Sequence, residues 1–107
     1  MTEHELQSGV IDAARILGWR VAHFRPALTR HGWRTPVQGD GAGFPDLVLV
    51  RDRVLWVELK VGRNRLSPDQ QAWFEALHRA GQAAHVWTDH DWSAGGVEAE
   101  LLKRSPA

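Results

Sequence analysis

The chain has 107 residues, 43% of them hydrophobic, which is enough for one domain with a small core and too little for two. It has no cysteine, which excludes a disulfide framework and a thiolate metal site; no apolar stretch approaches the roughly 20 residues that span a bilayer, and the start Thr2-Glu3-His4-Glu5 is too polar for a signal peptide, so a soluble, cytoplasmic protein of a reducing compartment is expected. The 13 basic and 13 acidic residues cancel, but residues 15–65 hold ten Lys and Arg against four Asp and Glu, so the middle either attracts a polyanion or carries ordinary surface charge.

Thr2 can cap a first helix, with Glu5 at the third helical position completing a capping box. Leu6, Val10, Ala13, Ala14 and Leu17 recur at helical spacing, and Gly18 ends the run. Residues 20–24 read as a short strand. Residues 26–43, rich in Gly and Pro, read as one long loop, a length that is usually functional or mobile in a small domain. Pro45 holds Phe44 extended, and strands follow over 46–50 and 54–61, joined by a turn at 51–53. Ser67, Pro68 and Gln70 make a strong helix start. Trp73, Phe74, Leu77 and Ala80 give that helix its buried face, and Gly81 ends it. Residues 83–88 read as a last strand, 89–96 as a turn region and 97–103 as a short final helix. The expected order is α-β-β-β-α-β-α in a single domain over 1–107. Most of the six tryptophans belong to the core.

The stretch GFPDLVLVRDRVLWVELK, residues 43–60, carries the chemistry. If residues 46–60 form a hairpin centred on Asp52, Val50 faces Val54, Val48 faces Trp56 and Asp46 faces Glu58. The two-residue period puts Glu58 and Lys60 on one face. The apolar runs on either side suggest strands buried on both faces. Two carboxylates held together there repel, and either a proton or a divalent cation relieves them. Oxygen donors suit Mg2+ or Mn2+, with the Leu59 backbone carbonyl as a further ligand. Lys60 can orient or deprotonate a water, or offset charge building on a phosphate. The competing reading is a plain Glu58–Lys60–Asp46 salt-bridge cluster.

Further groups point to the same spot. At about 100° per residue, Glu3 falls at the edge of the apolar face of the first helix and Gln7 lies one turn on. Glu3 can reach the metal directly or through water, or simply favour the helix N-terminus. Gln70 shares a face with Trp73, Phe74 and Leu77; it holds a phosphate or Lys60, or only caps its helix. Arg63 and Arg65 read as phosphate contacts, and His23 and Arg25 end the preceding strand near the same cleft.

Gly43-Phe44-Pro45-Asp46, eleven residues, then Glu58-Leu59-Lys60 resembles the PD-(D/E)XK nuclease signature. With Glu3 and Gln7 ahead, Gly18-Trp19, and Leu66-Ser67-Pro68-x-Gln70 before a helix containing Trp73, the set resembles the VRR-NUC family of virus-type replication–repair nucleases over nearly the whole chain. The resemblance implies a restriction-endonuclease-like α/β fold, a mixed sheet flanked by helices, with a divalent metal at the strand pair. It makes Asp46 and Glu58 the ligands and Lys60 the catalytic lysine. Glu3 matches the helix-1 acid, with Glu5 as its rival, and Gln70 the glutamine after the sheet. It also implies a phage, prophage or bacterial protein, a dimer, and a role in DNA repair on branched DNA such as Holliday junctions.

The expected activity is metal-dependent hydrolysis of DNA phosphodiester bonds by an endonuclease selective for structure. Arg63, Arg65, Arg25, Arg30, Arg34 and Gln7 would position the DNA backbone. A homodimer would read a junction by its two-fold geometry. The alternatives are a non-catalytic module that binds DNA or a partner protein, and a restriction-type endonuclease cutting a fixed sequence.

Overall fold

In the computed structural model, the structure describes residues 1–24, 27–30, 32–34 and 37–105, with residues 27–29, 33 and 34 in backbone only. The elements are α1 (Glu3–Ile16), β1 (Arg20–His23), β2 (Ala27–Thr29), β3 (Gly32–Arg34), β4 (Leu47–Val50), β5 (Val54–Lys60), α2 (Pro68–Arg79), β6 (Ala83–Thr88), α3 (Asp89–Ser93) and α4 (Gly96–Leu102). The main sheet runs β1-β4-β5-β6. Its first three strands are antiparallel neighbours, and β5 and β6 are parallel, linked through α2. This mixed sheet flanked by helices is the restriction-endonuclease-like α/β arrangement.

Two features depart from the expected order. Within the segment read as one loop, β2 and β3 pair as a small antiparallel sheet, with Thr29 opposite Gly32. The region 89–96 is not only a turn, because Thr88 and Asp91 form a capping box that starts α3.

Local chemistry explains the other element starts. The Thr2 side chain accepts from the Glu5 N–H, and the Glu5 carboxylate accepts from the Thr2 N–H, closing the capping box of α1. Ser67 and Gln70 close the same box on α2, with Pro68 in the first turn. The β4–β5 register is the expected one, Val50 opposite Val54 and Val48 opposite Trp56.

The sheet is not buried equally on its two faces. Leu47, Leu49, Leu55, Val57 and Leu59 are fully buried against Leu6, Val10 and Ala14 of α1 and Val97 and Leu101 of α4. On the opposite face Val48 and Trp56 are half-buried and Val50 is 39% exposed. The expectation of strands buried on both faces is therefore corrected. Two helices cover the leucine face, whereas α2 reaches the other and leaves the β4 side of it open.

The far end of the hairpin is tied to the C-terminal helix. Arg51 donates to the carbonyls of Leu17 and Leu101 at 3.1 Å each and of Lys103 at 2.7 Å. Arg53 donates to the Glu100 carbonyl and pairs with its carboxylate. Both guanidinium groups lie over the Trp19 ring, whose indole N–H donates to Leu101. Carbonyls at the end of α4 thus receive cationic donors, which suits the negative end of a helix. This anchoring leaves the other end of β4 and β5 for the site.

Candidate active site

Asp46 stands where β4 begins. Its carbonyl accepts from Phe24 N–H at 3.0 Å, and its Oδ2 accepts from Leu59 N–H at 3.0 Å. The side chain therefore takes over from the backbone ladder just beyond the Leu47–Val57 pair. Pro45 is fully buried. Gly43 has φ +79°, and a Cβ there would lie 2.4 Å from the Asp69 carbonyl carbon and 2.6 Å from the Gln70 nitrogen. Glycine is required because the chain entering Asp46 runs directly against the first turn of α2.

Glu58 is 2% exposed. Its Oε2 accepts from Gln70 Nε2 at 3.2 Å, while its Oε1 is buried with no hydrogen-bond partner among the described residues. Burial, then the neighbouring Asp46 carboxylate, pushes the Glu58 pKa up to about 9; Lys60 opposes this and Glu3 adds to it. Asp46 lies within hydrogen-bond reach of Glu58, which keeps its proton at neutral pH. Glu3 on α1 is also pushed up, by burial first and by Asp46 second, with Lys60 pulling the other way.

Lys60 is half-buried and its charge acts on both Glu58 and Glu3, yet among the described residues no close ion pair joins it to Asp46, Glu58 or Glu3. The plain salt-bridge cluster is therefore not what the side chains form. Gln70 performs two tasks at once: its Oε1 accepts from Ser67 N–H at 2.9 Å and its Nε2 holds Glu58. Glu3 and Glu5 are both exposed, but Glu5 is engaged with Thr2, whereas Glu3 is near enough to Asp46 and Lys60 to feel their charges.

The remaining candidates divide. Gln7 Nε2 meets His23 Nε2, joining α1 to the end of β1. Arg63, Arg65 and Arg30 are exposed. Arg25 lies outside the described residues, as does the side chain of Arg34. Two contributors went unread in the sequence. The Trp73 indole N–H donates to the Asp40 carbonyl at 2.9 Å, and Phe44 packs edge-on against Phe24, Trp56 and Trp73. Both belong to the support of Asp46, and only the half-polar character of tryptophan hinted at such a bond.

Among the described residues no three of His, Asp and Glu converge as a ready-made ion nest. What the chain offers is two adjoining carboxylates, with one buried oxygen lacking a donor. That donor set fits a hard divalent cation whose other positions are filled by further oxygen ligands.

No curated protein matched the chain. Residues 12–90 match the model of the VRR-NUC domain, a span that includes Asp46, Glu58, Lys60 and Gln70 and begins after Glu3 and Gln7. With the restriction-endonuclease-like sheet and the paired carboxylates at its strand ends, this match over well over half of the sequence places the chain in the VRR-NUC domain family, part of the PD-(D/E)XK nuclease superfamily.

Proposed function

We propose that this chain is a divalent-metal-dependent deoxyribonuclease that cuts phosphodiester bonds internally, selects branched DNA such as Holliday junctions by shape, and acts as a homodimer. The observation that carries the reading is the buried Glu58 beside Asp46, with one oxygen held by Gln70 and the other left without a donor. Most buried carboxylate oxygens have a donor, so the open oxygen beside a second carboxylate favours a cation partner.

Asp46 and Glu58 would hold Mg2+ or Mn2+, with the Leu59 carbonyl as a third protein ligand. When bound, the ion polarises a phosphate oxygen and lowers the pKa of water. Asp46 is held by Leu59 N–H and Glu58 by Gln70, so neither carboxylate has to reorganise when the cation replaces the Glu58 proton. Lys60 sits beside the pair, able to orient the attacking water or offset charge on the phosphate. The water oxygen bonds to phosphorus and gives up a proton, the bond to the leaving oxygen breaks, and that oxygen takes up a proton in its turn, so that none is gained or lost. Glu3 adds a further acceptor from the α1 side. Exposed Arg63, Arg65 and Arg30 hold the DNA backbone, with Gln7, Arg25 and Arg34 as further contacts.

The test is a cleavage assay on labelled four-way junction, flap, single-stranded and duplex DNA with Mg2+, Mn2+ or EDTA, alongside Asp46→Asn and Glu58→Gln proteins. Paired cuts in the junction that need metal and vanish in both variants are expected. Metal-dependent cutting of every substrate would keep the chemistry and remove the branch selectivity. Folded protein that binds DNA and never cuts would remove the catalytic reading.

A further inference from the structure

The two carboxylates come from different strands, and something must set the distance between them. Glu58 is held by Gln70, the residue that closes the capping box of α2. Asp46 is reached through residues 40–45, and that segment touches the start of α2 twice. Gly43 lies so close to the Asp69–Gln70 backbone that a Cβ would overlap it. One helical turn on, the Trp73 indole N–H donates to the Asp40 carbonyl at 2.9 Å, with Phe44 packed edge-on against the Trp73 ring, centroids 5.0 Å apart.

We propose that the first two turns of α2 are a gauge that sets the spacing of Asp46 and Glu58, and that Trp73 and Gly43 are positioning residues for metal binding although neither touches the site. The inference rests on the reading of Asp46 and Glu58 as the metal ligands. Gln70 grips one carboxylate directly. Trp73 and Gly43 hold the strand entry that carries the other. Because both grips are on one rigid helix, a loosened loop lets Asp46 move relative to Glu58, while Glu58 itself stays in place. The carboxylates of a cation site are sensitive to such support: loss of an outer partner typically costs about 10- to 100-fold in metal affinity.

Trp73→Phe is the informative variant, since it keeps an aromatic ring against Phe44 and removes only the donor to Asp40. Gly43→Ala is the harsher one, forcing the two backbones apart. Trp56→Phe is the control, because it keeps an aromatic ring against Phe44 and removes an indole hydrogen bond to Gln82 instead of one to the loop. Mn2+ affinity is measured calorimetrically on each folded protein. Trp73→Phe should weaken it by about tenfold or more and Trp56→Phe should not. Equal affinities in wild type and Trp73→Phe, or equal losses in Trp73→Phe and Trp56→Phe, would overturn the gauge.

A second measurement needs no metal. In EDTA at pH 8, Asp46→Asn should raise the Tm of the wild-type protein, because the buried Glu58 then no longer faces a second carboxylate. If Trp73 holds the two together, that gain shrinks in the Trp73→Phe background. A wild-type protein that ignores Mn2+ yet shows this coupling would overturn the metal reading and keep the gauge. A gain that is the same in both backgrounds would overturn the gauge, whatever the metal does.

Discussion

Glu58 is the residue at which the cost of the site is concentrated. Its pKa of about 9 lies far above the ordinary carboxylate value of 4.5, because it is buried and faces Asp46. Between those two pH values the unfolded chain has released a proton that the folded metal-free protein still binds. Stability therefore falls as pH rises through that window and levels off above it. Asp52 and Glu100 are held below their ordinary ranges, by hydrogen bonds and ion pairs in which Ser105, Arg51, Lys103 and Arg53 take part, so their contributions vary only at more acid pH. The expected result in EDTA is a wild-type protein whose urea midpoint declines from pH 7, above the range in which the depressed His85 titrates, to pH 9, and a Glu58→Gln protein with little decline. At pH 8 the variant should be more stable by on the order of 1–3 kcal/mol, since a neutral amide can donate to Asp46 and accept from Gln70. A divalent cation should reverse the order, stabilising the wild type increasingly with pH and leaving Glu58→Gln unmoved. Parallel pH profiles for the two metal-free proteins would show that Glu58 is not the buried acid described.

At the scale of elements, the hairpin of β4 and β5 is shared between two jobs, site at one end and anchorage of α4 at the other. Arg51, through its three carbonyl contacts, belongs to the second job. Arg51→Met keeps the stem over Trp19 and removes the donors. It should lower stability by about 2–3 kcal/mol in urea unfolding, as expected for lost charge-assisted hydrogen bonds at a mostly buried site. Mn2+ affinity should not change, because the Asp46–Glu58 end, where the metal is proposed to bind, is untouched; a matching loss of affinity would mean that the two ends are coupled. The helix starts and the hairpin register were readable in sequence because they depend on neighbours: Thr2 with Glu5, Ser67 with Gln70, and the alternation about Asp52. The pair β2–β3 was not, because three-residue strands are too short to show a period. The one-sided burial of β4 was hidden for a different reason. Leu47, Val48, Leu49 and Val50 are all apolar, and only the placement of α2 decides which of them stay wet. The approach of Asp46 to Glu58 followed from the hairpin spacing, whereas the Trp73–Asp40 bond joins residues 33 apart and has no local signature.

For the whole molecule, the positive balance of residues 15–65 is less available than the sequence suggests. Two of its ten cations, Arg51 and Arg53, are spent on the end of α4 and on the Trp19 ring, away from the carboxylates. Arg63 and Arg65 are exposed and follow Lys60 by three and five residues, so they stand just beyond the end of β5. If DNA lies across that end, these two release counterions on binding and the turn arginines do not. In Glu58→Gln protein, which should bind without cutting, junction affinity measured across a salt series gives the number of phosphates neutralised. Replacing Arg63 and Arg65 together with Gln should reduce the magnitude of the slope of log K against log salt by about 1.8, from about 0.9 per contact on duplex arms. The Tm should stay where it was, because no described ion pair involves either side chain. Arg51→Met should do the opposite, lowering the Tm and leaving the slope unchanged. An unchanged slope in the Arg63 and Arg65 variant would move the DNA path off the strand end. It would then have to follow the segment between β1 and β4, where Arg30 is the exposed cation among the described residues.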